Sequence, residues 1–474
     1  MAISSSSNSR SSLSARRHNM TLKRILVANR GEIAVRIIRA CKSLGLEAVA
    51  AVSDADRDSM AASLADRAVC IGPARATKSY LDINVLLATA KGAGCDAIHP
   101  GYGFLSENAD FAAACEDNGI VFIGPSAENI RQMGNKLVAR EIAETVGVPL
   151  APGSLRISDL STASDVAARI GMPLLFKAAA GGGGRGIRIV RREEDLRAAF
   201  ETASAEAQAA FGDNALFLER YIGNARHVEV QILADGHGNV IHLGERDCSL
   251  QRRYQKMLEE APAFDLAPGL REGMRKAAVS LASHISYRSA GTVEFIVDVD
   301  RMDFYFLEMN TRVQVEHPVT EMITGVDIVA EQLRIAGGQP LSVTQADVTF
   351  SGHAIECRIN AEDPARGFAP TPGKITRWAP PEGSDIRLDS HARQGYTVPP
   401  FYDSLIGKII VHGETRADAI ARTDAALARF QVEGIATTIP FHRFILAQRD
   451  FSTGRINTGW LEQVVADFSP QAPE

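Results

Sequence analysis

The sequence predicts a multidomain chain of α/β and α+β class, opening with a parallel, doubly wound sheet. Three observations predict it. Short apolar runs alternate with helical spacing over the N-terminal region, the pattern of βαβ units. Two further apolar runs, 173–178 and 187–190, flank Ala179-Ala-Gly-Gly-Gly-Gly-Arg-Gly186, as in a hairpin with a flexible tip. The stretch Glu308-Met-Asn-Thr-Arg-Val-Gln-Val-Glu316 alternates polar and apolar residues, the period of an extended chain with two different faces.

The N-terminal elements follow in order. Arg24-Ile-Leu-Val-Ala-Asn29 reads as a buried strand, Arg30-Gly-Glu32 as its turn and 33–41 as a helix. Further strands are expected at 46–52, 69–72, 97–99 and 121–124. Ligands of such sheets sit beyond the carboxyl ends of strands. Asn29-Arg-Gly-Glu32 and His99-Pro-Gly-Tyr-Gly-Phe-Leu-Ser-Glu-Asn108 both stand there, and neither is a GxGxxG dinucleotide fingerprint. A second region begins near Lys136. It carries the glycine hairpin, a helix from Glu193 to about Ala210, and strands at 215–219, 227–233, 240–243, 291–297 and 303–308. A third, from about Gly352 to Gln463, mixes strands with a helix at 417–430.

The 474 residues carry a net charge of −6, and 45% are hydrophobic. That argues against a general nucleic-acid binder or a polybasic membrane protein. No uninterrupted apolar run approaches the roughly 18 residues of a membrane helix. The six cysteines (Cys41, Cys70, Cys95, Cys115, Cys248, Cys357) form no CxxC pair and read as buried residues of a reducing compartment. The first 19 residues are Ser-rich, basic and free of acids. They read as a disordered tail or false start before Met20, with an organelle transit peptide as the second reading.

Four groups can carry chemistry. The glycine tip exposes backbone N–H groups to phosphate oxygens, with Arg185 and Lys177 adding charge; it is not a P-loop, and a lid over a nucleotide is favoured over a linker. Glu294 and Glu308 lie on successive strands, with Asn310 facing the same way. They fit magnesium shared with substrate phosphates, or equally two wet edge carboxylates. Arg312 and Gln314 offer forked and amide donors to a planar anion, and Glu316 is a candidate base; a structural Arg312–Glu316 ion pair competes. Gln251-Arg-Arg-Tyr-Gln-Lys256 gathers further cations and amides, although such a run is usually a solvated surface. His227 and His99 taken singly are more often structural.

Together these motifs, with Glu356-Cys-Arg-Ile-Asn-Ala-Glu-Asp363 and Phe401-Tyr-Asp-Ser-Leu-Ile-Gly-Lys408, resemble the biotin carboxylase family of ATP-grasp enzymes from about Lys23 to Leu461. The resemblance implies a tail (1–20), a Rossmann-like N-terminal domain (21–135), a central ATP-grasp domain (136–345) with a mobile glycine-rich lid at about 151–222, a C-terminal α+β domain (346–465) and a tail (466–474). It implies an ATP-dependent ligase that makes carboxyphosphate from ATP and bicarbonate and carboxylates biotin on a carrier protein. A weakly active ATP-binding scaffold and another ATP-grasp ligase are the alternatives. By resemblance, ATP is bound by Lys136, Lys177, Gly183, Gly184, the segment Glu219, Arg220, Tyr221 and Ile222, His227, Gln251 and Tyr254. Glu294, Glu308 and Asn310 hold magnesium, with manganese as a substitute. Lys256, Arg312, Gln314 and the backbone of Val315 hold bicarbonate, and Glu316 is the general base. Arg358 stabilises the biotin enolate and Tyr102 walls the biotin pocket.

The sequence departs from the family at three places. Tyr254 replaces a His, Ala180 a lid glycine, and Ser43 a Glu of the dimer interface. The chain has no Met-Lys-Met biotinylation motif, so the biotin carboxyl carrier protein and carboxyltransferase are expected as separate chains. A cytoplasmic homodimer of acetyl-CoA or another acyl-CoA carboxylase is expected, without nucleic-acid or membrane partners.

Overall fold

The computed structural model describes residues 22–154, 156–157, 159–178 and 187–469. The expected tail at 1–20 and the glycine tip, with Ala180, Gly183, Gly184 and Arg185, fall outside the described residues.

The N-terminal strands are β1 (Arg24–Val27), β2 (Glu47–Val52), β3 (Arg67–Cys70), β4 (Ala97–His99) and β5 (Val121–Phe122), all parallel in the order β3-β2-β1-β4-β5. Their apolar runs are continuous because both faces are covered. Ile25 and Val27 pack with Ile33 and Ile37 of helix α1 (Gly31–Ser43), while Leu26 and Ile98 pack with Phe111 and Phe122 on the other face. The strand order reverses at β1, which opens a crevice beyond β1 and β4. Asn29 spans it and donates to the Pro100 carbonyl (2.6 Å). Gly101 is required there: its φ is +64°, and a Cβ would stand 2.9 Å from Asn29 Nδ2.

Helix α2 (Lys136–Thr145) leads to a small antiparallel sheet of β6 (Leu174–Ala178), β7 (Ile187–Val190) and β8 (Leu216–Arg220), ordered β7-β6-β8. The expected hairpin is therefore present. Its core, around Phe176, Leu216 and Leu218, is separate from the others.

The main sheet has eight strands: β9 (Ala225–Ala234), β10 (Val240–Arg252), β11 (Gln255–Ala261), β12 (Ser289–Asp298), β13 (Asp303–Asn310), β14 (His353–Asn360), β15 (Ile386–Ser390) and β16 (Leu405–Gly413). Its order is β13-β12-β9-β10-β11-β14-β16-β15, with every neighbouring pair antiparallel. The sheet runs unbroken across the boundary expected at 345/346, because β11 pairs with β14. The tail expected from 466 is also packed in its first residues, with the Phe468 ring centroid 5.2 Å from that of Phe441.

The alternating stretch needs a correction. The strand ends at Asn310, and residues 311–316 are irregular before helix α3 (His317–Thr324). The Thr311 N–H donates to Glu107 Oε1 (3.2 Å) instead of to a neighbouring strand, and Pro318 opens the helix. No helix among the described residues is long and apolar enough to cross a membrane. All six cysteines are free, and all but Cys70 are buried.

Candidate active site

Strand alternation builds the floor of the site. On β9, Val228, Val230 and Ile232 enter the core, while His227, Glu229 and Gln231 occupy the alternate positions. Register then aligns a row across four strands. Arg246 on β10 is opposite Glu229, Glu229 is opposite Glu294 on β12, and Glu294 is opposite Glu308 on β13. Three carboxylates side by side in a buried sheet repel unless cations divide them.

The cations are in place for two of the three. Arg246 Nε donates to Glu229 Oε1 (2.6 Å). Lys256 Nζ reaches Glu229 Oε2 (2.6 Å), Glu294 Oε1 (3.0 Å) and Glu316 Oε1 (2.7 Å). His227 Nε2 is 3.0 Å from Glu294 Oε2, and Gln251 Nε2 bonds His227 Nδ1 (2.7 Å). Burial opposes ionisation of Glu294, yet Lys256 and His227 bring its carboxyl below the usual range. Glu308 is left over. Burial first, then Glu294, push its carboxyl up, with Lys136 opposing.

An unneutralised acid beside an ionised one, with the Asn310 amide two residues on, is a hard-oxygen set suited to a divalent cation. Glu294 is buried and Glu308, on the edge strand β13, is half-buried, and both line the cavity.

Residues 311–316 converge on the row without being extended. Arg312 donates to Asn310 Oδ1 (2.9 Å) and Gln314 Oε1 (2.7 Å), and Gln314 Nε2 donates to Glu294 Oε1 (2.9 Å). Arg312 Nε pairs with Glu107 Oε2 (2.9 Å), so the competing Arg312–Glu316 ion pair is not formed. Glu316 meets Lys256 and Arg358 instead (Nη2 to Oε2, 3.0 Å). Burial alone would raise its carboxyl, but Lys256, Arg358 and Arg246 hold it well below the usual range. Lys256, rather than Arg312, is the charge that lowers it most. The Val315 carbonyl accepts from the buried Lys408 (2.6 Å).

At the lid, Lys177 Nζ bonds Glu219 Oε2 (2.5 Å), and Arg140 of α2 bonds the other oxygen of Glu219. The Glu219 carboxylate is thus committed to cations. Lys136 is half-buried, and loss of solvent lowers its ammonium despite Glu308. Arg253 and Tyr254 form the β10–β11 turn with φ of 50° and 65°, the left-handed pair of a two-residue hairpin. Tyr254 is 63% exposed there. Tyr102 donates its hydroxyl to Glu32.

Every described candidate residue, from Tyr102 to Arg358, lines one cavity of about 950 Å³. Gly183 and Gly184 lie outside the described residues. His99 is not brought there. It is fully buried, accepts from Gly101 N–H (3.1 Å), and burial lowers its imidazole to about 3.

Comparison with known proteins decides the family. Residues 21–130 match the biotin carboxylase N-terminal domain, 135–344 the ATP binding domain of the carbamoyl-phosphate synthase L chain, and 356–463 the biotin carboxylase C-terminal domain. Biotin carboxylase 1 of Bacillus subtilis is 53% identical over 442 residues, covering 93% of this chain and 98% of that protein. The chain belongs to the biotin carboxylase family. Membership extends beyond one kind of carboxylase: a pyruvate carboxylase subunit of Methanothermobacter thermautotrophicus is 49% identical over 93% of this chain and 89% of its own length. Among solved structures, the biotin carboxylase domain dimer of Hydrogenobacter thermophilus 2-oxoglutarate carboxylase, in complex with MgADP, ADP and bicarbonate, superposes with a TM-score of 0.90. It is 49% identical and covers 96% of this chain and all of that one.

Sequence reasoning missed Glu229, Arg246 and Glu107 as site residues. The alternation His227-Val-Glu-Val-Gln231 was a signal for Glu229, and Glu107 lies inside the motif His99–Asn108. Arg246 becomes visible only through strand register.

Proposed function

We propose that the chain catalyses ATP- and bicarbonate-dependent carboxylation of biotin on a carrier protein, the first half-reaction of an acyl-CoA or related carboxylase. One observation carries this reading: a single ammonium, Lys256, joins the acid row at Glu229 and Glu294 to the candidate base Glu316. A nucleotide-and-cation site and an acceptor-anion site thus meet within one cavity.

In this reading Lys136, Lys177, the 219–222 segment, His227, Gln251, Tyr254 and the lid glycines Gly183 and Gly184 hold ATP. Magnesium, bound by Glu294, Glu308 and Asn310, neutralises phosphate charge. Lys256, Arg312, Gln314 and the backbone of Val315 orient bicarbonate. Glu316, ionised at neutral pH, takes the bicarbonate proton as a bicarbonate oxygen attacks the γ-phosphorus and ADP leaves. Preorganised cations do most of the work, since phosphoryl transfer depends on positioning and charge. The lid excludes water from the carboxyphosphate. Biotin, against Tyr102 with its ureido oxygen at Arg358, then gives its N1′ proton to the departing phosphate and accepts the carboxyl group at N1′.

The domain division is proposed at 21–135, 136–345 and 346–465. A homodimer is proposed on the precedent of the Hydrogenobacter relative, with Ser43 removing one interface charge. Carrier and carboxyltransferase are the proposed partners. The free cysteines fit a reducing compartment, and the cytoplasm is proposed. Relatives named for pyruvate and 2-oxoglutarate carboxylases leave fatty acid biosynthesis through acetyl-CoA as one of several settings. The test is ATP cleavage with bicarbonate, with and without free biotin. Stimulation by biotin is expected, and its absence overturns the reading.

A further inference from the structure

Behind the cavity wall lies a layer of buried acid to which neither the resemblance nor the proposed mechanism gives a role. Glu259, on β11, has a side chain with no exposure to solvent. Its Oε1 accepts from Arg358 Nε at 2.6 Å and lies 2.5 Å from Nη2, while Oε2 has no hydrogen-bond partner among the described residues, so a single carboxylate oxygen holds that side of the guanidinium. The same Nη2 also reaches Glu316 Oε2 (3.0 Å). One guanidinium therefore stands between two carboxylates, one lining the cavity and one behind it. These bonds use Nε and Nη2 and leave Nη1 uncommitted among the described residues.

The backbone around Arg358 is fixed as firmly. Its carbonyl accepts from Thr438 Oγ1 (2.8 Å) and His442 Nε2 (2.7 Å). Glu259 is opposite Glu356 across β11 and β14, so the two acids stand side by side in the sheet. Glu356 is fully buried, and neither of its carboxylate oxygens has a hydrogen-bond partner. Two adjacent buried anions are too costly to coexist. Arg358 bonds Glu259, while Glu356 has no hydrogen-bond partner among the described residues. Burial raises the Glu259 carboxyl to about 7 with Arg358 opposing, and raises that of Glu356 well above the usual carboxylate range. Glu356 is therefore the neutral neighbour, and the charge the pair carries lies on Glu259.

We propose that Glu259 is a positioning residue for the carboxylation of biotin: it anchors Arg358 from behind, setting the guanidinium toward biotin and keeping it from collapsing onto Glu316. This rests on the function proposed above, in which Arg358 serves biotin and Glu316 serves bicarbonate. Without the charge at 259, Glu316 is the one carboxylate left bonded to Arg358. The guanidinium turns toward the base and away from the biotin oxygen. The loss then falls on the step that needs biotin, while nucleotide binding, on the far side of Lys256, is spared.

The experiment compares wild type, Glu259→Gln, Glu259→Asp and Glu356→Gln in bicarbonate-dependent ATP cleavage, with and without free biotin, at saturating ATP and bicarbonate. Thermal unfolding is followed in parallel. For Glu259→Gln the biotin-stimulated kcat is expected to fall at least about tenfold, with the unstimulated rate within about threefold and KM for ATP within about twofold. Glu259→Asp, which keeps the charge and shortens its reach, should recover part of the stimulation. Glu356→Gln, a mimic of the neutral acid that leaves Arg358 untouched, should keep it. Full stimulation in Glu259→Gln overturns the proposal. So does a parallel fall of both rates and of ATP affinity, the mark of a merely structural residue. Should Glu259→Gln not fold, Glu259→Asp must show the same selective loss, and a parallel fall there overturns the proposal equally. If wild type itself is not stimulated by biotin, the fault lies with the parent reading.

Discussion

Lys256 Nζ lies 2.7 Å from Glu316 Oε1, and the same ammonium lies 3.0 Å from Glu294 Oε1. The candidate base and a candidate metal ligand therefore share one cation, which keeps both ionised in a buried place. It also leaves Glu316 on the acceptor side and Glu294 on the nucleotide side of a single charge.

Glu316→Gln keeps the size of the side chain and removes the base. Bicarbonate-dependent turnover should fall by about 10²–10⁴-fold, the span of a lost general base, while ATP affinity stays within about twofold. Steady-state ATP cleavage and a nucleotide titration check both. Lost ATP binding would mark Glu316 as structural.

Arg312→Lys keeps the charge and loses the fork. Arg312 touches Glu107, Asn310 and Gln314 through three different nitrogens, and an ammonium cannot reproduce that pattern. KM for bicarbonate should rise by about tenfold or more, roughly the effect of one lost charge-assisted hydrogen bond. KM for ATP should not follow it. Initial rates at varied bicarbonate read the difference.

Glu308 is the acid of the row that lacks a cation partner. Glu308→Gln should raise the magnesium concentration for half-maximal rate by about tenfold or more, because a two-carboxylate site becomes a one-carboxylate site. Excess chelator should abolish ATP cleavage in wild type, and restored magnesium should recover it. A rate indifferent to magnesium would remove the row from the metal assignment.

Glu260 gives a stability prediction with a sign. It is buried between His353 (2.7 Å) and Arg416 (2.6 Å); burial would raise its carboxyl, yet the two partners bring it down to about 2. A carboxyl lowered by folding stabilises above its unfolded value of about 4.5, and that contribution fades as pH falls toward 2. Glu260→Gln should cost about 3 kcal/mol near neutral pH, as expected for breaking a buried pair. Denaturant melts at neutral and acid pH should show the gap from wild type narrowing below about pH 4.5.

What the sequence made legible follows from how local each signal is. The N-terminal sheet was readable because its strands, buried on both faces, are plain apolar runs. The β6–β7 hairpin was readable from two matched runs around glycines. Glu308 and Asn310 share a face because β13 is extended that far. The break at Thr311 was not readable, because its N–H is captured by Glu107, some two hundred residues earlier. The row Arg246–Glu229–Glu294–Glu308 was hidden for a related reason. Local pattern tells which way a side chain points, but which residue of β9 stands opposite Glu294 is set by long-range pairing. An Arg312–Glu316 ion pair was a competing reading from spacing; the turn after Asn310 sends the two side chains to different partners.

The central claim is that this cavity joins ATP cleavage to carboxylation of biotin through a shared acceptor site. The most direct measurement incubates the protein with ATP, magnesium, isotopically labelled bicarbonate and free biotin. Acid-labile label on biotin is then counted against ADP formed. The account predicts label on biotin that depends on ATP and disappears in Glu316→Gln. ADP formed with no label on biotin, at any biotin concentration, would contradict it.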